Sequence, residues 1–281
     1  MVCTHKRLCH FYQALLVMIL CFVTSLSHAE QNHQTQKMHQ LLDQATQKEG
    51  FSQEVDQLVS LLEQQKALTK DLATLVGDAS TDWKKRWVAA VTLGHIKGET
   101  AKKALVALKE SPIYTLREAA YRGLMNFEET QEYRTQCLQD GALPVRSACI
   151  DMIVEKKESD SVSALAQALF SPINTYKGQS LPIREKLVWA MGQLGDRSVA
   201  PDLIRVFSEQ DSLQTKVLKE KACQALGQIF PMASPAQKTS GVCSQEWEKW
   251  YEAAAQSNSS LPKVHSQLSR NLIEELIFFV S

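Results

Sequence analysis

Residues Arg184 to Phe207 read REKLVWAMGQLGDRSVAPDLIRVF, and the fold is decided there. Ile183, Leu187, Met191 and Leu194 recur at spacings of three and four, so one face of a helix must be buried. Pro182 suits the first helical position, where a missing N–H costs nothing. Asp196 and the Ser198–Pro201 stretch then reset the chain, and Leu203, Ile204, Val206 and Phe207 supply the apolar stripe of a returning helix. The stretch is a helical hairpin, too small to bury its own apolar face.

Working outward, the same order recurs. Trp83–Lys97 (WKKRWVAAVTLGHIK) and Val217–Phe230 (VLKEKACQALGQIF) share a basic residue, a helix rich in small residues, and a glycine eight positions after the base, at Gly94, Gly192 and Gly227. Weaker copies lie at Thr115–Phe127 (TLREAAYRGLMNF) and Pro144–Lys156 (PVRSACIDMIVEK), with Met125 and Val154 in the glycine position. The basic slot is filled by Arg86, Arg117, Arg146, Arg184 and Lys219, at successive spacings of 31, 29, 38 and 35 residues. A period of this size indicates stacked helical hairpins, each burying its apolar face on the next. In the first copy Asp82 is a reasonable N-cap. Val88, Val91, Leu93 and Ile96, then Ala104, Leu105 and Leu108, repeat the apolar scheme.

On these residues the chain resembles the HEAT-repeat family, in particular the short bacterial form also found in phycobilisome-lyase-type proteins. The resemblance runs from Asp82 to Phe230, and the Arg184–Phe207 copy carries the family order of base, small-residue helix, Gly, Asp, Ala-Pro and Leu-Ile helix. It implies an all-α chain, an α-solenoid of about five HEAT-like hairpins that binds other macromolecules, and no particular ligand, because one fold serves many functions. The bacterial repeat style favours a bacterial source.

The N-terminus is a different kind of object. Lys6 and Arg7 precede an apolar run from Ala14 to Val23, and a polar stretch ends in Ser27-His28-Ala29, with small residues where a signal peptidase reads. Ala29 is expected as the last residue removed and Glu30 as the new terminus. The run is shorter than the roughly 20 residues of a membrane span. Delivery across the inner membrane to the periplasm or cell envelope follows as an expectation. Cleavage would remove two bases and no acids, leaving 29 bases against 31 acids. Nucleic acid is then not an expected partner, since such binding rests on a basic excess. Cys137, Cys149, Cys223 and Cys243 would remain. In an oxidising compartment four thiols permit two disulfides, and the sequence-local choice is Cys137–Cys149 with Cys223–Cys243. The alternative is that Cys149 and Cys223, on small-residue helix faces, are buried free thiols.

The repeats are flanked by caps. Met38, Leu41, Leu42 and Ala45 form one amphipathic pattern, Val55, Leu58, Val59 and Leu62 a second, and Leu68, Leu72, Leu75 and Val76 a third. Solenoid ends need such atypical units. At the other end Trp247, Trp250 and Tyr251 share a helical face. They read either as an aromatic clamp for a ligand or as a cover for the open end of the last repeat. The chain is therefore read as a signal peptide over 1–29, an N-terminal helical cap over 30–81, a repeat array over 82–230, a C-terminal cap over 231–257, and a linker with an apolar tail over 258–281. Leu276 to Val280, at the free end, either folds back or makes weak contact with a membrane or a partner.

Three candidate interaction features emerge. The basic row at 86, 117, 146, 184 and 219 either grips an acidic partner or clasps the neighbouring unit. The insertion Ser171–Leu181 (SPINTYKGQSL) accounts for most of the long 38-residue spacing and offers Tyr176 and Lys177 as contacts. Lys102, Lys103, Arg134, Gln167 and Arg205 are expected to be exposed on the second helices. No paired-His metal spacing, Gly-x-Ser-x-Gly elbow or phosphate loop occurs, so no catalytic residue, metal ligand or cofactor is assigned. The expected function is a scaffold or adaptor for another protein of unknown identity. The alternatives are a lyase-like or isomerase-like enzyme with a site in the concave groove, and a structural envelope protein without a dedicated partner.

Overall fold

The computed structural model describes residue 18 and residues 29–48, 52–128, 131–231 and 240–256. The chain divides into two compact units between Glu128 and Glu129. Its fold class is all-α, of the helical repeat solenoid kind, and among the described residues the one departure is a two-stranded sheet.

In the first unit the described helical residues 29–47 form α1, followed by α2 (Ser52–Gln64), α3 (Leu68–Gly77), α4 (Trp83–His95), α5 (Glu99–Leu108) and α6 (Tyr114–Leu124). Met38, Leu42, Leu58, Leu62, Leu68 and Leu72 from the first three helices are buried to within one per cent of completely. Asp82 caps α4 by accepting from the Lys84 N–H at 2.9 Å, which satisfies an N–H the helix itself leaves open. α4 packs on α3 and α6. The α4–α6 crossing brings two backbones together at Gly94 and Gly123, where a β-carbon added to Gly94 would stand 2.6 Å from the Gly123 Cα. Asn126 Nδ2 donates to the Gly94 carbonyl at 2.9 Å and fastens the same crossing.

The second unit contains α7 (Gln131–Leu138), α8 (Leu143–Glu155), α9 (Val162–Leu169), β1 (Thr175–Tyr176), β2 (Gln179–Ser180), α10 (Ile183–Leu194), α11 (Ala200–Arg205), α12 (Leu213–Ile229) and α13 (Ser240–Gln256). α10 begins one residue later than the sequence suggests, with Pro182 as its N-cap. It packs on α8, α9 and α12 through Ile183, Leu187, Val188, Ala190 and Met191. Gly195 ends it in the left-handed conformation, φ 69°, which a residue without a β-carbon adopts freely. Gly192 faces Ala225 of α12, and an added β-carbon would meet the Ala225 Cα at 3.0 Å. α12 opens with a reciprocal capping box between Ser212 and Thr215. The linker and apolar tail read from sequence over 258–281, and the expected signal peptide apart from residues 18 and 29, lie outside the described residues.

Candidate interaction site

Four of the five basic residues turn inward onto backbone carbonyls, and the fifth, Lys219, pairs at the surface. Arg86 Nε donates to the Val76 carbonyl in the last turn of α3 at 2.9 Å, and Arg117 Nη1 to the Ser111 carbonyl at 2.8 Å. Arg146 reaches the Asp140 carbonyl at 2.6 Å and Asn174 Oδ1 at 3.0 Å. Arg184 reaches the Leu169 carbonyl at the end of α9 at 2.7 Å and holds the Glu209 carboxylate with both terminal nitrogens. Lys219 pairs with Asp211 at 2.7 Å. Helix ends leave carbonyls without intrahelical partners, and a charged donor delivered there satisfies them. Arg146 and Arg184 are only 3% and 4% exposed, so these guanidiniums are structural clasps. Burial pushes the Arg146 guanidinium below its ordinary value, and the Asp140 charge opposes that shift.

The insertion at Ser171–Leu181 is an ordered element. A 3-10 turn at Pro172–Asn174 leads into an antiparallel hairpin with Thr175 opposite Ser180 and Tyr176 opposite Gln179. Lys177 and Gly178 connect the strands with φ of 50° and 76°. Two positive φ angles in a two-residue connection give a turn whose twist matches that of the strands, and glycine adopts one of them at no steric cost. The root is fixed from below. Asn174, 1% exposed, donates to the Ala168 carbonyl at 2.7 Å and accepts from Arg146, while the Ser180 hydroxyl accepts from Arg184 at 3.4 Å. β2 also touches α12. Two of the basic clasps thus hold the base of the hairpin, and its tip carries Tyr176 at 63% exposure with the Lys177 ammonium 5.3 Å from its ring centre.

The remaining expected contact residues divide. In the first unit Lys102 is half-buried and Lys103 exposed on α5. In the second, Gln167 and Arg205 are exposed, the Arg205 guanidinium lying 4.2 Å from the centre of the Phe170 ring. Arg134 departs from the expectation. Its side chain is 11% exposed and paired with Glu158 at 2.6 Å, because α7 is short and its polar face is covered by the turn at Ser159–Ser161. Ala29 and Glu30, the expected cleavage positions, are exposed at the start of the described part of α1.

Both sequence-local cysteine pairs are joined. Cys137 and Cys149 link α7 to α8 with Cα atoms 6.0 Å apart, and Cys223 and Cys243 link α12 to α13 at 6.3 Å. Both separations lie inside the roughly 4.4–6.8 Å span that a disulfide bridges. Beside the second bridge the aromatic residues form a packed group. Trp247 and Tyr251 are 1% and 3% exposed, and Trp250 lies 4.9 Å from Phe230 and 5.3 Å from Trp247 between ring centres. These rings are packing area against the end of α12. The Asp202 carboxyl, on α11 in the same unit, is raised by burial, with the Arg205 charge opposing. The Tyr251 phenol is raised by burial and then by the Asp202 charge.

One recurrent feature is absent from the sequence reading. Three residues before the base, the slot holds Trp83, Tyr114, Leu143 and Leu181. The first three stand at the N-terminal turn of their helices and are 42%, 46% and 41% exposed. Counting backward from the basic slot would have found them, since a solvent-facing position that stays apolar in successive units is a signal of its own. Among the described residues, no three His, Cys, Asp or Glu side chains converge as a metal site would require.

No curated protein matches the chain. The model of the PBS lyase HEAT-like repeat matches residues 183–209, the span from α10 through the turn after α11, and this supports a HEAT-type helical repeat there.

Proposed function

We propose that the chain is an exported scaffold or adaptor that binds another protein, with the hairpin tip Tyr176–Lys177 as a principal contact. The observation that carries this reading is the fixed presentation of that tip. A tyrosine left 63% exposed on a turn whose root is held by two buried arginines has its backbone position set before any partner arrives. Rigid aromatic anchors cost little entropy on binding and are enriched at energetic centres of interfaces. Export is supported by the Lys6–Ala29 pattern and by two cysteine pairs, which persist in oxidising compartments.

The test is site-specific photo-crosslinking in cells that produce the full-length chain. A photoreactive residue at 176 should give one dominant adduct, and the same probe at the exposed Lys70 should not. Mass spectrometry of the recovered chain should place its N-terminus at Glu30. A distributed smear from position 176 equal to that from position 70 would remove the hairpin from the proposal. A chain that retains residues 1–29 would remove export.

A further inference from the structure

A cleft of about 360 Å³ opens in the first unit where the end of α1 meets the first turns of α4 and α6. That volume falls within the range of about 300–1,000 Å³ typical of small-ligand sites. Trp83 and Trp87, four apart on α4, put two indoles on its wall above Val88. An indole left 42% exposed at a helix start leaves a large part of its apolar area unburied.

The polar groups in the wall are more telling. Thr115 Oγ1 is buried and makes no hydrogen bond. Such orphaned atoms are rare, and this one, covered in the cleft wall, would meet an incoming group by a turn of the Thr115 side chain to another rotamer. Thr115 sits in the first turn of α6, a helix of 11 residues with no side-chain cap, so N–H groups and the positive end of the helix dipole border the same space. Of the charged lining residues, Lys48 is paired with Glu54 and Glu118 with Arg122. Among the described residues the Lys84 ammonium has no acidic partner, and it lies 5.9 Å from the centre of the Trp83 ring. The uncommitted charge of the cleft is therefore positive, next to an aromatic surface and an unused hydroxyl.

We propose that this cleft binds an aromatic carboxylate, its ring against the two indoles and its carboxylate on Lys84, the Thr115 hydroxyl and the open first turn of α6. The chemistry is shared by a free aromatic acid and by the C-terminal aromatic residue of a peptide. Titration of the oxidised full chain with N-acetyl-L-phenylalanine, followed by calorimetry, should saturate. The uncharged N-acetyl-L-phenylalaninamide should bind about tenfold more weakly, the scale of one lost charge-assisted hydrogen bond. Lys84→Gln, at an exposed position that leaves the fold intact, should lose about tenfold for the acid and nothing for the amide. Thr115→Val should weaken the acid several-fold, and Trp83→Ala should abolish saturation in a chain that still melts cooperatively. A pentapeptide ending in Phe and free indole-3-acetate separate the sources. Much tighter binding of the peptide assigns a chain terminus, and equal or tighter binding of the acid assigns a small molecule. Equal affinity for acid and amide, retention by Lys84→Gln of full affinity for the acid, or no saturation by any probe would overturn the proposal.

Discussion

A β-carbon at position 94 has nowhere to go, because its nearest neighbour is the Gly123 Cα at 2.6 Å and backbone cannot swing aside. Gly94→Ala should therefore destabilise the chain by about 1–3 kcal/mol, the usual scale of overpacking at a tight contact. Gly77→Ala, where nothing stands within 4 Å, is the matched control and should be neutral or slightly stabilising. Equal denaturant midpoints for the two variants would refute the close crossing. The spacing of Gly94 from Arg86 was legible in the sequence, but its purpose was not. The partner glycine, Gly123, stands six rather than eight residues after its base, so no fixed register identifies it. Asp202 gives a pH-dependent test. Its carboxyl is raised in the folded chain, so the folded state holds the proton more tightly than the unfolded one. The cost of the buried charge is present above the folded value and is removed as pH falls toward the ordinary carboxylate value of about 3.9. Asp202→Asn should accordingly raise the melting temperature at pH 7, with the gain shrinking as pH falls through that window. The same change should move the Tyr251 phenol back toward its ordinary value, since the Asp202 charge is one cause of its elevation. A Tyr251 titration unchanged by the substitution would break that link.

Among elements, the helices were more legible than the piece between them. Repeating apolar positions in α4, α10 and α12 marked buried faces because each helix must find a neighbour. Ser171–Leu181 carries no such period, and its order comes from contacts that a linear pattern does not display. Asn174 is held by Arg146, 28 residues earlier, and that partner is invisible to local reading. The disulfides join sequential helices and can be tested at the same scale. Peptide mapping of the denatured, unreduced chain should show no alkylation at Cys137, Cys149, Cys223 or Cys243. Reduction should lower stability by about 2–4 kcal/mol for each bridge whose loop it opens. Alkylation at all four positions before reduction would mean that they are buried thiols, as free cysteines commonly are.

For the whole chain, the recurrence of one order at five places sufficed for the all-α repeat class. Stacking of units too small to stand alone leaves few other architectures. The same recurrence gave no hint of the division between Glu128 and Glu129. That boundary falls between α6 and α7, where the run Glu128–Glu132 is polar and acidic and lacks a periodic signal. Site chemistry was the least legible part. The basic row drew attention by its regularity, and that regularity belongs to helix ends needing donors. The exposed Trp83 belongs to a slot that stays apolar through the first four units, a regularity masked by differing side-chain sizes and by Lys216 in the fifth. The bridge between Cys223 and Cys243 also changes what the molecule is as a covalent object. It closes a ring around every peptide bond from residue 223 to residue 243, including the connection into α13. A single cut anywhere in that ring yields two polypeptides that still travel as one molecule. The Trp247–Phe230 packing would then stay tethered until a reductant parts the sulfurs.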